Sequence, residues 1–347
     1  MICAKQVFRC FKWLERAGDA LTGAAGPLFV GLAWILLSVG AVCFFEVILP
    51  TLRWPWLATP VCLLIAVNMF MHYYYVCTVR PGFVTDPPVQ SDSGWLWAKR
   101  RKQSRSRPPT GVRWSEELHM TKPSLTKCKR CGEMRPERAH HCRICKRCVL
   151  KYDHHCPVRP PVPLLQRNAI DGLRINQCVG LHNERHFVLF LVYLSISSLC
   201  YALLGWDSAW KALGWYNDEW DSYTPEVAFL LIYLLAMVMA FAVTVMGGFQ
   251  LLAVSNGETT VESQDNDQYR KIARSRGEAF ANSYDLGRLK NLELFFNVGK
   301  DAYPLYTLVI PLRVEPYTDG RSWARRAGLD RHPGVRIGEE LTDEDED

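Results

Sequence analysis

The amino-acid sequence predicts an all-α polytopic membrane protein, in which four transmembrane helices carry a small cysteine-rich domain between the second and the third. Two observations lead there. Four apolar runs each reach the roughly twenty residues that a bilayer-spanning helix needs, too long for the helices of a soluble core. Seven of the chain's 13 cysteines crowd between Cys128 and Cys178, among histidines, at spacings that suit metal ligands.

In chain order, residues 1–26 read as a cytosolic amphipathic segment. Val7, Phe8, Phe11 and Leu14 recur at helical spacing between lysines and arginines, as in a helix lying on a membrane surface. Residues 27–77 hold the first two spans, Pro27–Leu49 and Trp56–Cys77, and residues 187–254 hold the other two, Phe187–Gly205 and Val227–Val254. The first run starts too late and runs too long for a secretory signal. Glu46, Asn68 and His72, polar residues inside spans, are expected to face other helices or an interface. Lys5, Arg9, Lys12 and Arg16 precede the first span, and Arg100, Arg101, Lys102, Arg105 and Arg107 follow the second, so both flanks are expected in the cytosol. The acidic connector 206–226 suits the lumenal side. Residues 78–186 are then a cytosolic linker and domain, with 87–123 mobile by its Ser, Pro and Arg content. Residues 255–347 are a cytosolic tail closing in a disordered acidic run from Glu339. Thiols stay reduced in that compartment, which favours metal over disulfides. The net charge of +6 is modest and gathers beside the membrane, and no recognition-helix spacing follows the cysteines, so nucleic acid is not an expected partner.

Cys128-x2-Cys131 is followed by His141-Cys142, Cys145 and Cys148, which makes two overlapping knuckles. Two tetrahedral zinc ions want eight ligands, and these residues supply six. Downstream lies Asp153-His154-His155-Cys156, and then Cys178. His155 and Cys178 complete the eight and leave His154 and Cys156 free; the other reading open at this point is that all seven cysteines are structural.

Arg135-Pro136-x-Arg138 before His141-Cys142, with Asp153-His154-His155-Cys156 after Cys148, resembles the cysteine-rich domain of the DHHC-type zinc-finger protein S-acyltransferases, the palmitoyltransferase family. The resemblance implies a double-zinc β-hairpin domain, one Zn2+ on Cys128, Cys131, His141 and Cys148 and the other on Cys142, Cys145, His155 and Cys178. Both sites are then closed and structural. It implies Cys156 as nucleophile, His154 as its base and Asp153 as the group that orients the base, moving a long-chain acyl group from palmitoyl-CoA to cysteines of membrane-associated proteins with cytosolic thiols, in the ER or Golgi. Thr259-Thr260-Val261-Glu262 matches a further mark of these enzymes, although the same four residues also read as a plain helix start. Asn282, Tyr284, Gly287, Asn291 and Phe295 resemble the family's C-terminal motif, which packs the tail against the membrane core. Arg138, Lys146, Arg147 and Lys151 are candidates to hold the CoA phosphates, against the alternative of simply solvated cations.

Two departures stand out. Arg80-Pro81-Gly82 replaces the family's Asp-Pro-Gly, so the turn residues remain and the carboxylate does not. The stretch from Pro157 to Gln177 replaces a short Trp-containing spacer between Cys156 and Cys178. Its centre, residues 158–174, reads either as a genuine extruded loop, since long surface insertions cost little closure entropy, or as a translated intron foreign to the working enzyme, which its place beside the nucleophile favours. The alternative function is therefore a catalytically impaired zinc-binding membrane adaptor.

Overall fold

A computed structural model describes residues 28–87, 94–99, 119–121, 124–156, 178–216, 219–299 and 302–336. The amphipathic segment 1–26, the stretch 157–177 and the acidic run from Glu339 lie outside these described residues.

Among the described residues, four helices are long and apolar enough to cross a membrane: α1 (Leu28–Thr51), α2 (Pro55–Thr78), α3 (Glu184–Leu204) and α5 (Glu226–Ser255). A short helix, α4 (Trp206–Ala212), joins the last two. Pro50 lies in the short, tight turn that ends α1, and Pro55, at the first turn of α2, needs no amide partner there. The helix α3 packs on both α2 and α5. Their shared core joins Met69 and Val76 of α2, Phe187 and Leu191 of α3, and Val243 of α5. The opposite faces carry uncovered apolar side chains, Phe241 at 76% exposure and Phe249 at 69% among them, as lipid-facing helices do.

Asn68 and His72 are fully buried, and His72 Nδ1 lies 3.1 Å from His186 Nδ1 of α3. Asn68 donates to Val309 O at 2.6 Å. Glu46 instead caps the connector before α5, accepting from Tyr223 N at 2.7 Å and Thr224 Oγ1 at 2.7 Å.

The domain between α2 and α3 is built of two-stranded antiparallel ladders: β2 (Leu125–Lys127) with β3 (Met134–Pro136), β4 (His140–Cys142) with β5 (Arg147–Val149), and β6 (His154–His155) with β7 (Cys178–Val179). The Arg80-Pro81-Gly82 turn fastens it to the end of α2. Gly82 O accepts from Leu150 N at 2.9 Å, and Gly82 has φ +92° where a Cβ would meet His182 at 2.7 Å, so only glycine fits.

After α5 come α6 (Thr260–Ser275) and α7 (Arg288–Phe296), and the chain then turns back over the domain. Its strand β8 (Ala324–Arg325) pairs with β1 (His119–Met120), and Ala98 N donates to Arg313 O at 2.9 Å. The expectation of a mobile linker across 87–123 therefore needs correcting at 94–99 and 119–121, which are pinned to the tail. Composition reports how readily a segment is solvated and is silent on a strand partner far along the chain.

Candidate active site and metal centres

Two clusters gather the predicted metal ligands. In each of Cys128, Cys131, His141, Cys148 and Cys142, Cys145, His155, Cys178, the ligand atoms lie within 4.8 Å of one another. Strand geometry explains the division. Successive side chains of a strand point to opposite faces, so His141 and Cys142, neighbours on β4, enter different clusters. The hairpin register sets His141 against Cys148, and the β6–β7 register sets His155 against Cys178. Left-handed backbone at Gly132 (φ +76°) and Lys146 (φ +53°) turns each knuckle, with Lys146 N on Cys142 O at 2.8 Å. Contacts of 3.4 Å for Cys142 Sγ to His155 Nδ1 and 3.4 Å for Cys145 Sγ to Cys178 Sγ suit ligands sharing one ion, and the cysteines are free of disulfides. Three thiols and one imidazole per cluster fit Zn2+ with every position taken by protein.

The same alternation acts on β6. His155 turns into its metal cluster, and His154 turns the other way, edge-on to Phe187 at 4.9 Å and in contact with Asp153 and Cys156. Asp153, 1% exposed, is held at both oxygens. Oδ1 accepts from Thr260 N at 2.7 Å and Thr260 Oγ1 at 2.8 Å, while Oδ2 accepts from His154 Nδ1 at 2.8 Å and Gln250 Nε2 at 2.9 Å. Burial works against a charged His154, but its bonds to Asp153 and Cys156 outweigh that and raise it to about 9. Burial likewise acts to raise Asp153, and the hydrogen bonds from His154 and Thr260 prevail and hold it below the usual carboxylate range.

Cys156 is half-buried and lines an apolar cavity of about 400 Å³ between α1, α2, α3 and α5, with Met69, Leu191, Val243 and Met246 among its walls. Along α3 the lining runs from Phe187 to Tyr201, about 21 Å of helix. Thiol, imidazole and a long apolar space thus meet at one place, which allows nucleophilic attack on the reactive end of a lipid-like substrate.

The Thr259–Glu262 element satisfies both of its sequence readings. Thr259 and Glu262 form a capping box at the start of α6. Thr260 meanwhile clamps Asp153, and Glu262 receives Arg138. The C-terminal motif ties the tail to the end of the last span and to the zinc domain: Asn291 Nδ2 donates to Ser255 O at 2.8 Å and Asn282 Nδ2 to Asn256 O at 3.1 Å, while Tyr284 OH donates to Glu137 Oε2 of the domain at 2.7 Å.

Three of the four cations offered for phosphate have partners within the protein. Arg138 is buried between Tyr284 and Trp323 and bonded to Glu262, and buried Lys151 pairs with Glu184 at 2.5 Å. Arg147 bonds Asp86 at 2.9 Å and lies over the Phe83 ring, whereas Lys146 is exposed. Gln250 and Glu184 escaped the sequence reading. A polar residue inside an otherwise apolar run was the available signal for Gln250.

Residues 121–159 and 173–267 match the family model described as DHHC palmitoyltransferase, so the interruption falls inside the unusual stretch after Cys156. The chain is 36% identical to palmitoyltransferase ZDHHC7 of Rattus norvegicus over 44% of its own length and 46% of that protein. It is 33% identical to palmitoyltransferase PFA3 of Debaryomyces hansenii over 52% of its length and 41% of that protein. With palmitoyltransferase ZDHHC16A of Danio rerio it shares 23% identity over 88% of the chain and 80% of that protein. Apart from such full-length similarity, the chain spans a little under half the length of the curated relatives it matches.

Proposed function

We propose that the chain is a DHHC-type protein-cysteine S-palmitoyltransferase that passes a long-chain acyl group from acyl-CoA through Cys156 to protein thiols, a reading supported by the family model matched at residues 121–159 and 173–267 and by relatives named palmitoyltransferases. The observation that carries this reading is Cys156 itself, which touches His154 and lines the apolar cavity at once.

In the first step His154 takes the thiol proton, and Cys156 Sγ attacks the thioester carbonyl carbon of palmitoyl-CoA. The new bond joins Sγ to the acyl carbon, the bond to the CoA sulfur breaks, and CoA leaves with the proton from His154. A cysteine of a membrane-associated protein then repeats the exchange and returns Cys156 as a thiol. Asp153 holds the imidazole with Nδ1 toward itself and stabilises its protonated form. Each step trades one thioester for another, so positioning is the main demand. The two zinc ions, when bound, are structural and supply no open coordination position. The cavity houses the acyl chain at about 0.8 kcal/mol per buried methylene, while the CoA head remains in water. We also propose that both termini are cytosolic, a reading supported by the basic residues flanking the spans, and that the membrane is that of the ER or Golgi.

A second reading, a zinc-binding membrane adaptor, draws on the segment 160–172 that falls outside the family match. Auto-acylation separates the two. Purified chain incubated with palmitoyl-CoA should gain hydroxylamine-sensitive label, and Cys156→Ser should lose it while keeping two zinc ions per chain. Wild-type chain that takes no label would favour the adaptor.

A further inference from the structure

Gln250 is a buried polar side chain in the otherwise apolar fourth span, a little over one turn from its end at Ser255. A polar group at such a position needs a partner, and its partner is Asp153. We propose that Gln250 is a positioning residue of the reaction, fixing the plane of the Asp153 carboxylate against His154. This rests on the acyl-transfer reading above.

The geometry carries the assignment. Thr260 grips Oδ1 through its amide and its hydroxyl, at 2.7 and 2.8 Å, and so anchors one edge of the carboxylate. One anchored edge still lets the group pivot. Gln250 Nε2 at 2.9 Å reaches the other oxygen, Oδ2, the one that receives His154 Nδ1. With both edges held, Oδ2 is left one direction in which to accept from the imidazole. The donor is also neutral. A lysine or arginine there would fix the carboxylate equally well but would spend its charge, whereas an amide leaves that charge to support a protonated His154. The amide nitrogen, not its oxygen, must face Asp153, since two acceptors would otherwise meet.

Gln250 also joins two parts of the site. Met239, Val243 and Met246 line the cavity from the same helix, and with Gln250 they recur at spacings that keep them on one face. One rigid helix therefore sets both the cavity wall and the orientation of the base, which fixes the seat of the acyl chain relative to the imidazole.

The test uses full-length, zinc-loaded protein in detergent, with initial rates of hydroxylamine-sensitive auto-acylation measured across palmitoyl-CoA concentrations. Gln250→Leu should lower the saturating rate by about tenfold or more, a displacement effect, with little change in the half-saturating concentration. Gln250→Glu should be slower still, because it sets a like charge against Asp153. Gln250→His, which returns an N–H at similar reach, should recover most of the rate. Zinc per chain should be unchanged in all three. A wild-type rate in Gln250→Leu, a change confined to the half-saturating concentration, or a His variant as slow as the Glu variant would overturn the assignment. Should Gln250→Leu lose zinc, the Glu and His variants decide by the same criteria. Cys156→Ser runs alongside: label persisting there sinks the acyl-transfer reading itself, whereas a silent Cys156→Ser with fast Gln250→Leu sinks only the role of Gln250.

Discussion

Glu262 accepts two hydrogen bonds of 2.6 Å from Arg138, one at each carboxylate oxygen, and both side chains are largely shielded from solvent. The pair joins the zinc domain to the helix that follows the last span, 124 residues further along the chain. Arg138 also donates to Gly257 O at 3.0 Å, so its guanidinium bridges the end of α5 and the start of α6.

Breaking one partner of a buried pair strands the other, at a cost of about 3–5 kcal/mol. Arg138→Ala and Glu262→Gln should each lower the thermal unfolding temperature markedly, and Thr260 should loosen from Asp153 with them. Thermal scans and auto-acylation rates check this, and a variant with wild-type stability would count against the pair's importance.

The pair also predicts an acid limb. Burial acts to raise the Glu262 carboxyl, and Arg138 overcomes it and holds the group below its ordinary range. A depressed folded value gives stability above the unfolded pKa that is lost as pH falls through the folded one. The stability gap between wild type and Glu262→Gln should therefore close as pH drops below about 4. Denaturation midpoints measured across pH would show it.

His332 predicts a second window of the same sign. Burial, helped by Arg325, lowers it to about 4, and its Nδ1 accepts from Ser283 N at 3.0 Å. Unfolding exposes a histidine that binds its proton near pH 6.5, so stability falls as pH drops from there to about 4, by up to about 3 kcal/mol. His332→Asn, which keeps an acceptor and cannot charge, should show a flatter profile over that interval.

The opposed faces of β6 predict opposed phenotypes for adjacent histidines. His155→Ala and Cys145→Ser should release zinc and destabilise the domain, since structural metal binding is folding energy. His154→Ala should keep both ions and slow acyl-enzyme formation. Zinc assays on purified variants decide it, and identical behaviour of the two histidines would contradict the division.

The stretch after Cys156 predicts a gain of function on removal. Replacing residues 158–174 with a single Trp shortens a chain whose ends are already brought together by the pairing of His155 with Cys178. Closure entropy changes little, by under about 1.5 kcal/mol for a fourfold change in length. The benefit should come from fixing the backbone beside the nucleophile, seen as faster auto-acylation and slower zinc loss to a chelator. Equal rates and equal retention would show that the stretch is tolerated.

The sequence by itself determined the four spans, the ligand-spaced array of cysteines and histidines, and the capped start of α6. Each is a local signal: an apolar length, a ligand spacing, a threonine with glutamate at capping distance. Adjacent His154 and His155 receive different duties from the ligand count and the family resemblance, and the alternating faces of β6, seen only in the fold, supply the physical reason. Only the tertiary structure decided which single polar side chains meet across the fold. Gln250 and Thr260 reach Asp153 from 97 and 107 residues away, Arg138 finds Glu262, and β1 finds its partner in β8 inside a segment whose composition reads as linker. No periodicity encodes such pairs. A backbone pattern repeats along one element and can be read there, whereas a contact between elements depends on how whole helices and hairpins pack, and one glutamine on the face of an apolar helix acquires its meaning only when that packing brings a carboxylate to it.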